Sequence, residues 1–224
     1  LPQQAAAAQV TVRSIKLGDS SPDANNVVYG VAFTTATTSN VGGIVIDFCS
    51  NTPIIGDACN APTGFDVNES TLTINSQAGI TGLTLDAATT ANKLILARTA
   101  SSINSGTAAS FDLGNATNAL HNPTPVGSFY ARIYTYATTA AAQGHSQNTP
   151  SGYVDYGGVA MSTAAVVNIT ARVMETLSFC VYPTAGSCGD DPSITIGHTV
   201  GTTTIIDDTV VDTATVNFRI STNA

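Results

Sequence analysis

Residues 129–137 read Phe-Tyr-Ala-Arg-Ile-Tyr-Thr-Tyr-Ala, with the strict two-residue alternation of a β-strand. The apolar positions share one face, which indicates a buried core: Phe129, Ala131 and Ile133. The aromatic and cationic positions share the other: Tyr130, Arg132, Tyr134 and Tyr136. This second face is either a ligand-binding strip or a half-buried sheet face whose phenols reach polar partners, and we favour the half-buried face.

Short apolar runs with the same alternation recur along most of the chain, separated by Gly, Asn or Ser at roughly ten-residue spacing. No window shows a sustained helical period with capping residues. The sequence therefore predicts an all-β fold: an antiparallel β-sandwich of the jelly-roll or immunoglobulin-like type, with a second, smaller β unit. We expect an N-terminal tail at residues 1–17, the main sandwich at residues 18–163 and the smaller unit at residues 164–224.

Four cysteines lie in two similar loops, each opened by a Phe-Cys pair at the end of an apolar run. Their closeness in sequence predicts the disulfides Cys49–Cys59 and Cys180–Cys188, each stabilising the fold by roughly 2–3 kcal/mol through loop entropy. A zinc site is the alternative, but no Cys-x-x-Cys spacing or nearby His completes a ligand set. Disulfides are typical of an oxidising compartment, so we expect a secreted protein, extracellular or on the cell surface.

The composition argues against several partners. Fifteen acidic residues face seven basic ones, the net charge is −8, and the basic residues are not clustered. Nucleic acid and anionic membranes both require clustered cations, so neither is expected as a partner. No stretch approaches the ~18 apolar residues of a membrane span. The chain begins with Leu1, which we interpret as the start of a processed product.

No catalytic constellation is visible, so we expect a protein that is not an enzyme and needs no cofactor or metal. The three histidines, His121, His145 and His198, are isolated in loop-like contexts, where a solvated side chain is the simplest interpretation. Asp pairs at 190–191 and 207–208 could ligate calcium, although turn residues explain them better. Three sequons, at Asn68, Asn115 and Asn168, would matter in a host that glycosylates such sites.

Five segments together resemble a known family: residues 15–22, 47–53, 61–65, 129–133 and 175–181, of which the two Phe-Cys segments are the most specific. They are similar to the secreted β-sandwich surface proteins of candidate-phyla-radiation (Patescibacteria-type) bacteria. The resemblance runs across most of the chain. It implies an exported, abundant surface protein, and it carries no catalytic residues to transfer.

These observations favour a structural subunit of an extracellular filament, pilus-like fibre or surface layer, with copies of itself as partners. Strand donation is the mechanism we expect, in which the tail or the following strand fills an open edge of a neighbouring subunit. The donor candidates are Val10, Val12, Ile15 and Leu17, whose apolar positions switch face along the segment and so indicate a bulge or a strand contacted on both sides. The alternative is an adhesin or glycan-binding module directed at a host or neighbouring cell surface.

Overall fold

The computed structural model describes residues 7–68, 70–165, 175–183, 187–188, 197–206, 209 and 216–222. Within these residues the chain forms fourteen strands and one helix of five residues, so the all-β prediction is confirmed. The jelly-roll or immunoglobulin-like type stays a prediction. The chain divides into two compact units, called unit 1 (residues 1–167) and unit 2 (residues 168–224) below.

The described elements of unit 1 are β1 (Ala8–Gln9), β2 (Thr11–Leu17), β3 (Tyr29–Thr34), β4 (Ser39–Cys49), β5 (Ile74–Ala78), β6 (Thr84–Leu85), β7 (Lys93–Ile103), β8 (Ala108–Leu113), β9 (Gly127–Tyr136), α1 (Thr139–Gln143) and β10 (Asp155–Thr163). Those of unit 2 are β11 (Leu177–Pro183), β12 (His198–Val200), β13 (Thr203–Ile205) and β14 (Val216–Thr222).

The strands of unit 1 form a six-stranded sheet, in the order β1-β10-β9-β4-β7-β6, and a four-stranded sheet, in the order β2-β3-β8-β5. Strand pairing is antiparallel throughout, except that β1 runs parallel to β10. The two sheets share one hydrophobic core, to which β3 and β8 contribute Val31 and Phe111, and β4 and β9 contribute Ile46 and Ile133. The apolar face predicted for residues 129–137 is therefore a core face.

Residues 8–17, called the edge segment below, lie at the outer edge of both sheets, β1 in one and β2 in the other. Val10, between the two strands, is fully buried in the core. The predicted face switch is confirmed, because the register of β2 against β3 shifts between Thr11 and Ser14, where Val12 has a φ of 45°. The edge segment thus consists of strands that pair within unit 1.

In unit 2, β11 pairs with β14 and β12 pairs with β13, both antiparallel. Phe179 lies opposite Ile220, and Val181 lies opposite Phe218. Because directly opposite residues of an antiparallel pair project from the same side, these side chains share one face of the β11–β14 ribbon.

Candidate functional site

Part of the outer face of the six-stranded sheet is buried, as is its core face. Val45, Tyr134 and Tyr136 form a second hydrophobic cluster there with Ala142 of α1. The loop that contains α1, residues 137–154, covers this part of the sheet together with the loop closed by the Cys49–Cys59 bond. The half-buried face expected for residues 129–137 is therefore wrong in degree at Arg132, Tyr134 and Tyr136, which are all buried, whereas Tyr130 is half-buried.

A buried chain of three polar side chains lies under this cover. His145 Nε2 is 2.7 Å from Asp47 Oδ2, and His145 Nδ1 is 2.7 Å from the Tyr136 hydroxyl oxygen. The side chains of Asp47 and His145 are both 0% exposed. A neutral imidazole with its proton on Nε2 satisfies both contacts, because Nε2–H donates to the carboxylate and Nδ1 accepts from the phenol. The solvated loop histidine expected at position 145 is thus wrong.

Local sequence explains how His145 reaches this position. The Thr138 hydroxyl accepts a hydrogen bond from the Ala141 N–H and so caps the N-terminus of α1. Gly144 is the C-cap of this helix, and the next residue, His145, lies against the sheet. The His145 ring then packs against Tyr134, with 4.6 Å between ring centroids. Sequence reasoning missed this pairing because Asp47 and His145 lie 98 residues apart.

An acid–imidazole–hydroxyl order is also found in nucleophilic catalysis, but the surroundings here oppose that chemistry. An activated nucleophile needs a lowered pKa and access to substrate. Burial, and then the nearby Asp47 carboxylate, raise the pKa of Tyr136 well above its usual range. With Tyr136 fully buried as well, the arrangement suits structural anchoring of the loop to the sheet.

Arg132 fastens both covering loops. Its guanidinium donates to the carbonyl oxygens of Thr52 (3.2 Å), Asp57 (2.8 Å) and Ala58 (3.3 Å) and, more distantly, to that of Gln147 (3.4 Å). The Cys49–Cys59 disulfide closes the loop that contains Thr52, Asp57 and Ala58, with 5.0 Å between the Cα atoms. The structure also contains the Cys180–Cys188 disulfide in unit 2, with a Cα separation of 5.8 Å.

An open cleft of about 490 Å³ lies beside this layer, between the edge segment, the disulfide loop and β10. It is lined by Gln9, Arg13, Pro53, Ile54, Ile55, Tyr153, Tyr156 and Gly158. Among these lining residues Arg13 alone carries a charge. Sequence reasoning singled out none of them, and no motif or spacing marks them.

The donor candidates have unequal surroundings in this structure. Val10 is buried, Val12 is exposed, and Ile15 and Leu17 are half-buried against the core of unit 1. All four lie in or beside strands that pair with the same chain.

Of the remaining candidate residues, Asn68 and His121 line one pocket, together with Asp66. His121 is half-exposed, with Nε2 3.0 Å from Asp23 Oδ1. Asn115 is exposed, and Asn68 is half-buried, with its amide donating to Asn118. Asn168 and the acidic residues at 190–191 and 207–208 lie outside the described residues. No group of three or more potential metal ligands occurs in the part of the chain that the structure describes.

Unit 2 presents an apolar face to solvent. On the β11–β14 ribbon, four large side chains are between 57% and 74% exposed: Leu177, Phe179, Phe218 and Ile220. We call these four residues the apolar face of unit 2. Apolar surface of this kind marks interaction sites in soluble proteins.

No family model and no curated protein matches this chain. Among solved structures, the chain is similar to the crystal structure of BslA, a bacterial hydrophobin, at 12% sequence identity and a TM-score of 0.39. The alignment covers 72% of this chain and 97% of that one. This similarity is too weak to carry an argument, so function is argued from the residues themselves. No helix among the described residues is long and apolar enough to cross a membrane.

Proposed function

We propose that this chain is a non-enzymatic structural subunit of an extracellular filament, pilus-like fibre or surface layer, and that its copies assemble by exchanging the edge segment. The observation that carries the proposal is the place of residues 8–17 at the outer edge of both sheets of unit 1. An edge strand has a partner on one side, so it leaves without breaking the ladders between the other strands.

Exchange keeps every contact that the edge segment makes. Val10 fills the core, Ile15 and Leu17 pack against it, and β2 pairs with β3. The same segment of a second copy can supply identical contacts to the vacated edge, which is the general basis of segment swapping between protomers. A head-to-tail exchange that does not close generates a fibre.

Two further observations support an extracellular structural role. The two disulfides suit an oxidising compartment. The apolar face of unit 2 offers a second contact surface, and a neighbouring copy would remove it from water.

Cysteine pairing across the edge of the four-stranded sheet tests the mechanism. Ser14 of β2 lies opposite Ala32 of β3. Mixing Ser14→Cys copies with Ala32→Cys copies, assembling them and oxidising them should give covalent dimers on a non-reducing gel, because exchange brings the two cysteines of different copies together.

A matched control uses an interior pair of the same sheet. Ala32 of β3 also lies opposite Ser110 of β8, and neither strand is exchanged. Mixing Ala32→Cys with Ser110→Cys copies should give monomers. Assemblies that yield no Ser14–Ala32 dimers would contradict strand exchange, and a chain that stays monomeric at every concentration by negative-stain microscopy and sedimentation would contradict the structural subunit itself.

The second candidate is a binding module, an adhesin directed at the surface of a host or neighbouring cell. The open cleft beside β10 favours it, because ligand sites are concave and combine apolar walls with few polar groups. A polymer of this chain that carries the cleft on each subunit would be both a structural fibre and an adhesin.

A further inference from the structure

We propose that the cleft beside β10 binds an acidic saccharide, whose carboxylate pairs with Arg13 and whose sugar ring lies against Tyr153 and Tyr156. The cleft volume of about 490 Å³ falls within the roughly 300–1,000 Å³ of small-ligand sites. The inference does not rest on the proposed assembly, because the cleft is complete within this one chain.

Arg13 is held in place and keeps donors free. Its Nε donates to the Gly158 carbonyl at 2.7 Å, and Nη1 donates to the Val10 carbonyl at 2.8 Å. A guanidinium has five N–H donors, so Nη2 and part of Nη1 stay available at the cleft. No carboxylate lies within ion-pair distance of Arg13 in the described part of the chain. A half-buried, pre-positioned cation without a counter-ion is suited to a carboxylate.

Tyr153 and Tyr156 pack edge to face and form one side of the cleft. Tyr153 packs against the buried Tyr134 at 5.4 Å and against Tyr156 at 5.5 Å, with the last two ring planes 71° apart. Neither the Tyr153 nor the Tyr156 hydroxyl bonds to another residue among those described, so both can serve a ligand. Flat apolar rings with free hydroxyls beside them match the alternating C–H and O–H surface of a pyranose.

The opposite side of the cleft comes from the disulfide-closed loop. A Cβ at Gly158 would lie 2.6 Å from the Pro53 carbonyl oxygen, so the absence of a side chain there lets the disulfide loop approach β10. Ile54 and Ile55 follow Pro53 and supply the apolar part of this wall. The cleft is thus shaped by an edge segment, a disulfide-closed loop and a strand, rather than by one loose loop.

The backbone argues against an extended peptide as the ligand. Peptides that add to a sheet edge bind through main-chain hydrogen bonds. At the cleft two outward carbonyls of β10 are already used: Tyr156 accepts from the Val10 N–H at 2.8 Å, and Gly158 accepts from Arg13 at 2.7 Å. Recognition in this cleft therefore depends on side-chain groups, which favours a saccharide.

Isothermal titration calorimetry of the full chain tests the assignment, with a galacturonic acid tetramer as probe and a chelator present to exclude calcium bridging. The matched ligand is the methyl ester of the same tetramer, which keeps the size and removes the charge. We expect saturable binding of the acid and at least about tenfold weaker binding of the ester, because the charged hydrogen bonds to Arg13 are lost.

Variants locate the site. Arg13→Gln and Tyr156→Leu should each weaken binding of the acid by about tenfold or more. Arg98→Gln is the matched control, since Arg98 is likewise held by two backbone carbonyls, those of Thr81 and Val41, but lies outside the cleft. Thermal unfolding of each variant checks its fold, and the comparison of acid with ester on the unmodified chain needs no variant.

Three results would overturn the inference. Equal affinity for acid and ester would remove the role of the carboxylate. Absence of saturable binding to galacturonic, glucuronic and N-acetylneuraminic oligosaccharides alike would remove the ligand class. The third result is binding of a peptide with a free C-terminus in the same cleft, without competition from these saccharides. The ligand would then be a peptide and not a saccharide.

Discussion

His145 is the residue on which the outer layer of unit 1 depends most directly. It bridges Asp47 on β4 and Tyr136 on β9 and follows α1 directly in the covering loop, so one side chain ties a loop to two strands. The second Asp47 oxygen, Oδ1, has no hydrogen-bond partner. The imidazole therefore supplies the hydrogen bond to this buried carboxylate, whose cross-strand neighbour on β9 is the buried Arg132.

Replacing His145 with Gln should destabilise unit 1 by about 2–3 kcal/mol, because the amide cannot bond to both Asp47 and Tyr136 and leaves a buried polar group without its hydrogen bond. Chemical denaturation followed by the near-ultraviolet circular dichroism of the tyrosines measures this free energy. The control is His121→Gln, at a partly exposed pair with Asp23, for which we expect less than about 1 kcal/mol. The double variant Asp47→Asn/His145→Gln should be less destabilised than the sum of the single variants. Equal costs at positions 145 and 121 would contradict the structural role.

The buried tyrosines should make the stability of the protein depend on pH in the alkaline range. Burial raises the pKa of Tyr29, Tyr134 and Tyr136 above the ordinary value of 10.0. The unfolded chain then loses its phenolic protons at a lower pH than the folded chain. Stability from these groups is fully present below about pH 10 and falls as the pH rises toward the folded-state pKa.

Denaturation at pH values from about 8 to 12 should show this loss, and tyrosinate difference spectra should show some phenols ionising together with unfolding. In Tyr29→Phe the alkaline loss should be smaller, although the variant also loses the hydrogen bond to Asn122. A free energy of unfolding that stays constant across this range would contradict the prediction.

Sequence alternation located the faces of β9 but not their surroundings. The period of two assigns Phe129 to one side and Tyr134 to the other, and the first side is the core as predicted. The cover on the second side comes from residues 137–154, whose small and polar composition indicates a soft loop. Contacts between Asp47 and His145 depend on the tertiary fold, and no local pattern encodes them.

Among the elements, the start of the covering loop lies directly against β4. A Cβ at Gly42 would lie 2.7 Å from the Thr138 Cα and 2.9 Å from the Ala137 carbonyl oxygen, and both are backbone atoms. The glycine therefore lets the start of the covering loop rest directly on the strand.

Gly42→Ala should cost roughly 1–3 kcal/mol, since backbone atoms cannot move aside without shifting the loop. Gly30→Ala is the control in another strand, because its nearest neighbour is the Asp112 carboxylate oxygen at 3.3 Å and the side chain can yield. Thermal unfolding measures both changes. The alternative outcome, similar melting temperatures for the two variants, would show that the loop adapts freely.

The sequence predicts which segments form strands, but it does not predict the order of the strands within each sheet. Alternating runs such as Tyr29 to Phe33 predicted strands correctly. The parallel pairing of β1 with β10 joins residues 8–9 to residues 155–156, and no hairpin signal or turn links them. Such pairings follow from which apolar faces must be covered together, which is a property of the whole unit.

At the scale of the whole molecule, the two units differ in how they bury apolar surface. Unit 1 encloses a core between two sheets. In unit 2 the described strands form two-stranded ribbons, and a ribbon of two strands is marginally stable by itself. The apolar face of unit 2 is where an additional layer would contribute most stability.

The apolar face of unit 2 should contribute to contacts between copies of the chain. Replacing Phe179 and Phe218 together with Ser should weaken self-association and reduce binding of an apolar fluorescent dye such as ANS, because both rings are largely exposed in the single chain. Sedimentation velocity measures the association, and the melting temperature of unit 1 should stay unchanged. The matched control is Val126→Ser, at an exposed apolar residue that belongs to unit 1. If both variants associate as strongly as the original chain, the apolar face of unit 2 is not a contact between copies, and the edge segment must supply the assembly by itself.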